Sequence, residues 1–140
     1  MKTYECIHCK KVCKWGHSKV NKYCSTDCQR VYEFKTIHKP RVIAGEVKDG
    51  SPVLKRFLIE AYGEKCVECG IGAEYNGKPL TLTVDHIDGD SDNNFPNNLR
   101  LLCPNCHSQT DTFKGRNKKN STRSRYQRKY RDRLAGLAQR

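Results

Sequence analysis

The sequence predicts a small α+β fold that depends on bound metal as much as on an apolar core. The chain has 140 residues, nine of them cysteines, and short apolar runs suited to helices and strands lie between those cysteines. The segment over residues 52–113, about 60 residues long, buries little apolar surface by itself, so a metal staple is physically expected there. We therefore expect short helices and strands held together at the cysteines.

Eight of the cysteines fall into two sets of four with spacings typical of zinc sites. The two sets are Cys6, Cys9, Cys24 and Cys28, and Cys66, Cys69, Cys103 and Cys106. The N-terminal stretch has no apolar run that resembles a secretion signal, and this favours a reducing, cytoplasmic location. Because thiols stay reduced there, we expect two structural Zn²⁺ ions rather than disulfides.

Residues 1–35 are predicted to form an N-terminal zinc-binding module. A hairpin is expected over Lys10 to Tyr23, and Ser25 is a suitable N-cap for a short helix through Phe34. A zinc knuckle, a hairpin and a helix that carries the second ligand pair resemble a treble clef. Three alternative ligands remain open, namely Cys13 in place of Cys9, His8 and His17.

Residues 36–50 are predicted as a linker, because Pro40, Gly45 and Gly50 interrupt a polar stretch. Ser51-Pro52 then begins a helix over residues 52–62 that Gly63 ends. Five apolar residues share one face of this helix. They are Val53, Leu54, Phe57, Leu58 and Ala61.

The following region alternates between strand, loop and helix signals. Asn76-Gly77 is a turn signal, and a strand is expected over Leu80 to Val84. A loop rich in Asp, Asn and Gly covers residues 88–98, and a second apolar run covers residues 99–103. Pro104 is predicted to open a helix that reaches about Phe113.

Three elements with catalytic residue types follow one another in this region, namely Asp85-His86-Ile87-Asp88-Gly89, Asn98-Leu99-Arg100-Leu101-Leu102-Cys103 and Cys106-His107. Together they resemble the HNH nucleases, also called ββα-metal nucleases. The resemblance covers roughly residues 64–113 and includes the two Cys-x₂-Cys pairs found in many members. It implies an HNH core over residues 51–113, in which Asn98 braces the loop between the two halves of the site.

Hydrolysis of a phosphodiester needs an activated water and neutralisation of charge on the phosphate. His86 can accept a proton from water near neutral pH, because a histidine side chain can be uncharged there. Asp85 and His107 would hold one catalytic divalent ion, Mg²⁺ or Mn²⁺. Consecutive strand residues point to opposite faces, so Asp85 and His86 share a site only if the strand ends there.

Several alternatives remain open in this region. Asn97 can replace Asn98 in the assignment, and His107 can replace Cys106 as a zinc ligand. His86 alone can be an ordinary turn histidine. Asp88, Asp90 and Asp92 echo a calcium loop, although Leu99 stands where such a loop has its closing glutamate.

Charge is distributed unevenly along the chain. Residues 1–41 carry +7, residues 42–113 carry −5 and residues 114–140 carry +10. Basic arms are typical of nucleic-acid binders, and residues 114–140 are predicted as a basic, partly helical DNA-binding tail. A solvated tail or a helix on a membrane surface is the alternative. The predicted DNA contacts are Arg116, Lys118, Lys119, Arg123, Arg125, Arg128 and Lys129.

The sequence therefore predicts a metal-dependent HNH endonuclease that acts on double-stranded DNA. No membrane association and no obligatory protein partner are expected. The zinc module and basic arms are similar in architecture to those of small phage-encoded homing endonucleases, which implies homing or nicking in a host-cell cytoplasm. The alternative is a non-enzymatic zinc-finger protein that binds DNA or RNA.

Overall fold

A computed structural model describes residues 2–16, 22–117 and Tyr130. The predicted α+β class is confirmed. The strands are β1 (Thr3–Glu5), β2 (Val12–Lys14), β3 (Glu74–Tyr75), β4 (Lys78–Pro79), β5 (Thr83–His86) and β6 (Leu99–Leu102). The α-helices are α1 (Thr26–Glu33), α2 (Lys39–Ile43), α3 (Pro52–Tyr62) and α4 (Pro104–Gln109). Among the described residues, no helix is both long enough and apolar enough to cross a membrane.

The N-terminal hairpin lies earlier in the chain than the sequence suggested. Strand β1 pairs antiparallel with β2, so the first cysteine pair lies inside the connection between them. The hairpin predicted over residues 10–23 falls partly on residues 17–21, which lie outside the described residues. The predicted N-cap of α1 is confirmed, because the Ser25 side chain accepts a hydrogen bond from the Cys28 N–H at 3.1 Å.

Helical structure continues from Thr26 to Ile43, through the residues that the sequence suggested were a linker. One π-helical turn, Phe34–His38, joins α1 to α2. Proline has no N–H and its ring crowds the preceding helical turn, and the wider turn before Pro40 accommodates both effects. Phe34, Val42 and Val47 are buried, and this burial favours order across the stretch.

One apolar core joins these helices to the second half of the chain. Helix α3 begins and ends as predicted, with Ser51 as N-cap and Gly63 as C-cap. Leu54, Phe57 and Leu58 are buried, whereas Ala61 is exposed. The core cluster comprises Phe34, Val42, Val47, Leu54, Phe57, Leu58, Cys66, Leu82, Leu99, Leu101, Leu102 and Cys103.

Strands β5 and β6 and helix α4 form the unit that carries the candidate site. The two strands are antiparallel, with Asp85 opposite Arg100 and His86 opposite Leu99. Strand β5 begins at Thr83, three residues after the predicted start. Helix α4 ends at Gln109 rather than near Phe113, because Thr110 adopts an extended conformation.

Candidate active site and metal centres

Both cysteine sets begin with a knuckle of the same geometry. The N–H of Lys10 donates to the Cys6 carbonyl, and the N–H of Gly70 donates to the Cys66 carbonyl, each at 2.9 Å. Lys10 and Gly70 both adopt positive φ, at 63° and 75°. Left-handed backbone costs a non-glycine residue about 1–2 kcal/mol. Other interactions of the knuckle must therefore compensate for the conformation of Lys10.

Each set of four sulfurs converges to the size of a single metal site. The Sγ atoms of Cys6, Cys9, Cys24 and Cys28 lie within 4.8 Å of one another, and so do those of Cys66, Cys69, Cys103 and Cys106. Four thiolates at such spacing suit tetrahedral Zn²⁺. Both clusters therefore could bind zinc, in the grouping that the sequence predicted.

The thiol pKa values differ within each cluster, and a bound cation would favour ionisation of all four thiols. Hydrogen bonds from backbone N–H groups, first that of Cys9, lower the pKa of Cys6 to about 6. Burial opposes ionisation of Cys66, but the N–H groups of Cys103, Cys69 and Glu68 outweigh it and lower its pKa to about 6. Burial and the neighbouring thiols raise the pKa of Cys106 to about 12. One thiolate forms readily in each set, and a cation would stabilise the others.

The alternative zinc ligands Cys13, His8 and His107 lie outside the two clusters of the described residues. Cys13 Sγ points to the Lys11 carbonyl at 3.6 Å and is absent from the first cluster. His8 is also absent from it, and His17 lies outside the described residues. The cluster contains Cys106, whereas the His107 ring lies against Asp85.

Asp85, His86 and His107 line one open cleft of about 260 Å³. Asp85 and His86 come from the end of β5, where they are 6% and 8% exposed, and His107 comes from α4. His107 Nε2 lies 3.6 Å from Asp85 Oδ1. Asp85 and His86 can share the cleft although they are consecutive residues, because strand β5 ends at His86. A turn follows, in which the Gly89 N–H donates to the His86 carbonyl.

Arg100 orients Asp85 from the neighbouring strand. Its Nε donates to Asp85 Oδ2 at 2.8 Å, and its Nη1 donates to Glu68 at 2.8 Å. Asp85 is thus held so that Oδ1 faces His107. Sequence reasoning gave Arg100 no role in the site, although pairing Asp85 with Arg100 across the two strands would have identified the contact.

The side chain of Asn98 makes several hydrogen bonds within the loop between β5 and β6. Its Nδ2 donates to Asp88 Oδ1 at 2.8 Å and to the Asn93 carbonyl at 2.9 Å, and its Oδ1 accepts from the Asp88 N–H at 3.1 Å. Asn98 is buried, whereas Asn97 is exposed, which favours Asn98 as the bracing residue.

The aspartates of this loop shape its turns. Asp88 accepts from the Asp90 N–H at 2.8 Å, and Asp90 accepts from the Asp92 N–H at 3.1 Å. Burial opposes ionisation of Asp88, but hydrogen bonds from Asp90, Asn93 and Asn98 outweigh it and lower its pKa. The Asp-rich pattern thus has a structural use in forming successive turns.

The segment after α4 folds back over the cleft. Asn117 Nδ2 donates to the Gly89 carbonyl at 2.7 Å, and Thr112 and Asn117 line the cleft. Gly89 has φ of 73°, and a Cβ there would lie 2.7 Å from Thr112 Cγ2. Glycine is therefore required by both the turn and the close approach.

Arg116 has a structural contact that the sequence did not indicate. Its guanidinium donates to the carbonyls of Ser108 and Gln109 at the end of α4. The part of the predicted tail before residue 118 is therefore attached to the core. The other predicted DNA contacts lie outside the described residues. They are Lys118, Lys119, Arg123, Arg125, Arg128 and Lys129.

The segment that carries the cleft is similar to known proteins. Residues 66–112 match the family model described as HNH endonuclease. A stretch of 53 residues, 38% of this chain, is 47% identical to the H-N-H endonuclease F-TflIV of Escherichia phage T5. That stretch covers 23% of the phage protein, so the chain matches less than a quarter of that relative. No solved structure matches the chain.

Proposed function

From the HNH endonuclease domain at residues 66–112, we propose that the protein is a metal-dependent endonuclease that hydrolyses phosphodiester bonds of double-stranded DNA. The observation that carries the proposal is the meeting of Asp85, His86 and His107 in one cleft. A histidine base beside two metal-binding side chains suits phosphodiester hydrolysis. The matched phage relative is named an endonuclease, which supports the same reaction class.

Five residues in or near the cleft have proposed roles. Asp85 and His107 would hold a divalent ion, Mg²⁺ or Mn²⁺, which would supply Lewis-acid stabilisation of the phosphate and the leaving oxygen. Arg100 keeps the Asp85 carboxylate turned toward His107. His86 accepts a proton from the attacking water. Asn98 fixes the loop that follows His86.

The two cysteine clusters are proposed to hold one structural Zn²⁺ each. The second cluster fixes the start of α4, because Cys103 is the N-cap of that helix. The first cluster joins the β1–β2 hairpin to α1 in an arrangement that we describe as treble-clef-like. A reducing, cytoplasmic location suits these thiolates, and a homing or nicking role is proposed from the similarity to a phage endonuclease.

Cleavage of supercoiled plasmid DNA tests this function against the non-enzymatic zinc-finger alternative. With Mg²⁺ or Mn²⁺ present, we expect nicked or linear product. Excess EDTA, added at the start of a short reaction, should prevent its formation. Zinc content measured in parallel shows whether EDTA has stripped the structural sites. A protein that retains two zincs and binds the plasmid but leaves it supercoiled with every divalent ion supports the zinc-finger alternative.

Removal of residues 118–140 tests the proposed DNA-binding tail. These residues carry nine Lys/Arg and one Asp, whereas Arg116 and Asn117 contact the core and must be kept. We expect weaker DNA binding with a shallower salt dependence, because each lost phosphate contact lowers the slope of log affinity against log salt by about 0.9. Cleavage at low salt and saturating DNA should persist.

The salt slope decides the outcome of this experiment. A thermal melt of the truncated protein is the control, because a lower melting temperature would show that the tail also stabilises the fold. A salt slope equal to that of the full chain would mean that the tail does not contact DNA.

A further inference from the structure

The ring of His86 has one hydrogen-bonding partner that the sequence did not indicate. His86 Nε2 lies 2.9 Å from Asn94 Oδ1, and the two side chains are 8% and 5% exposed. A buried hydrogen bond of this length is well formed. Its direction decides which ring nitrogen of His86 carries the proton.

The Asn94 amide has its own anchor. Its Nδ2 donates to the Ser91 carbonyl at 3.1 Å. A carbonyl oxygen can only accept, so the NH₂ group must face Ser91 and the amide oxygen must face His86. His86 Nε2 therefore carries the proton and donates it to Asn94.

The other ring nitrogen is left open to the cleft. His86 Nδ1 has no hydrogen bond to the described residues, and among those residues no buried side-chain nitrogen or oxygen lacks a partner. Nδ1 therefore reaches the solvent of the cleft that His86 lines. With Nε2 protonated, Nδ1 of the neutral ring has a free lone pair.

We propose that Asn94 is a positioning residue that holds His86 as the Nε2–H tautomer and directs Nδ1 at the attacking water. This inference rests on the proposed role of His86 as general base. Asn94 does not line the cleft, so it would act through the imidazole of His86. A base in the wrong tautomer would present an N–H to the water and could not accept its proton.

The loop supplies the rigidity that this role requires. Asn98 Nδ2 donates to the carbonyl of Asn93, the residue before Asn94. Asn98 also binds both the N–H and the carboxylate of Asp88, two residues after His86. The backbone on both sides of the His86–Asn94 contact is therefore fixed by one buried amide.

Nitrogen NMR of the His86 ring tests the proposal without any cleavage measurement. In the full-length, zinc-loaded wild-type protein with a neutral ring, we expect Nε2 to be protonated and Nδ1 to be unprotonated. Asn94→Leu keeps the size of the side chain but removes the acceptor, so the ring should become a mixture of tautomers. Asn94→Asp restores an acceptor and should restore the Nε2–H form.

Plasmid cleavage then shows whether the tautomer matters. For Asn94→Leu we expect kcat to fall by about 10- to 100-fold, less than the ~10²–10⁴-fold of a lost general base, with an unchanged KM for DNA. Asn94→Asp should recover part of the rate.

Two results would overturn the proposal. The first is a wild-type His86 ring that is protonated at Nδ1 or is already a mixture of tautomers. This result is measured on the wild-type protein and does not depend on the folding of a variant. The second is a folded Asn94→Leu protein with wild-type tautomer and kcat. If the tautomers follow the expectation but no protein cuts DNA, the proposed nuclease function fails while the assignment of Asn94 stands.

Discussion

Replacing His86 by alanine is expected to reduce DNA cleavage by about 10²–10⁴-fold, the usual contribution of a general base. The proton acceptor is lost, while Asp85, His107 and Arg100 stay in place around the ion site. Folding, zinc content and DNA affinity should stay near those of the wild type. Single-turnover cleavage with Mg²⁺, alongside a thermal melt and a DNA-binding titration, measures all of these.

His38→Ala is the matched control for this substitution. His38 lies in the π-helical turn, in a different pocket from the cleft, so its replacement should leave the cleavage rate unchanged. A His86→Ala protein that cuts at the wild-type rate would refute the assignment of the base.

Replacing Cys103 by serine is expected to unfold the nuclease core. Cys103 is 4% exposed, belongs to the second sulfur cluster and is the N-cap of α4. Zinc binding in small zinc sites contributes about 10–16 kcal/mol of folding energy in peptides. A domain has a total stability of only about 5–15 kcal/mol, so even partial loss of that energy is severe. Zinc content should fall from two ions per chain to one, measured by elemental analysis beside circular dichroism.

Cys13→Ser provides the comparison, because Cys13 belongs to neither sulfur cluster. That variant should keep two zincs and the wild-type melting temperature. Disulfides without zinc, in protein purified under reducing and metal-replete conditions, would contradict the assignment of both clusters.

Local sequence signals predicted the elements whose geometry depends on neighbouring residues. The spacing of Cys66 and Cys69 fixes a knuckle, and Ser51-Pro52 with Gly63 fixes both ends of α3. Asn76-Gly77 forms the turn between β3 and β4, with both residues at positive φ. Each of these needs only a few consecutive residues to adopt its shape.

Contacts between distant residues were missed for the opposite reason. Arg100 reaches Asp85 only because β5 and β6 pair in one particular register, and no local pattern states that register. Asn94 meets His86 across a loop whose shape depends on Asn98. Helix formation through residue 43 is likewise accompanied by the burial of Val42, which the helix breakers Pro40 and Gly45 concealed.

The central claim is that cleavage depends on a divalent ion held between Asp85 and His107. A Mg²⁺ titration of plasmid cleavage by Asp85→Asn tests it most directly, with Asp90→Asn in the neighbouring loop as the matched control. We predict that Asp85→Asn does not cut at Mg²⁺ concentrations that saturate the wild type, whereas Asp90→Asn follows the wild-type curve. An Asp85→Asn protein with the wild-type Mg²⁺ dependence would contradict the account.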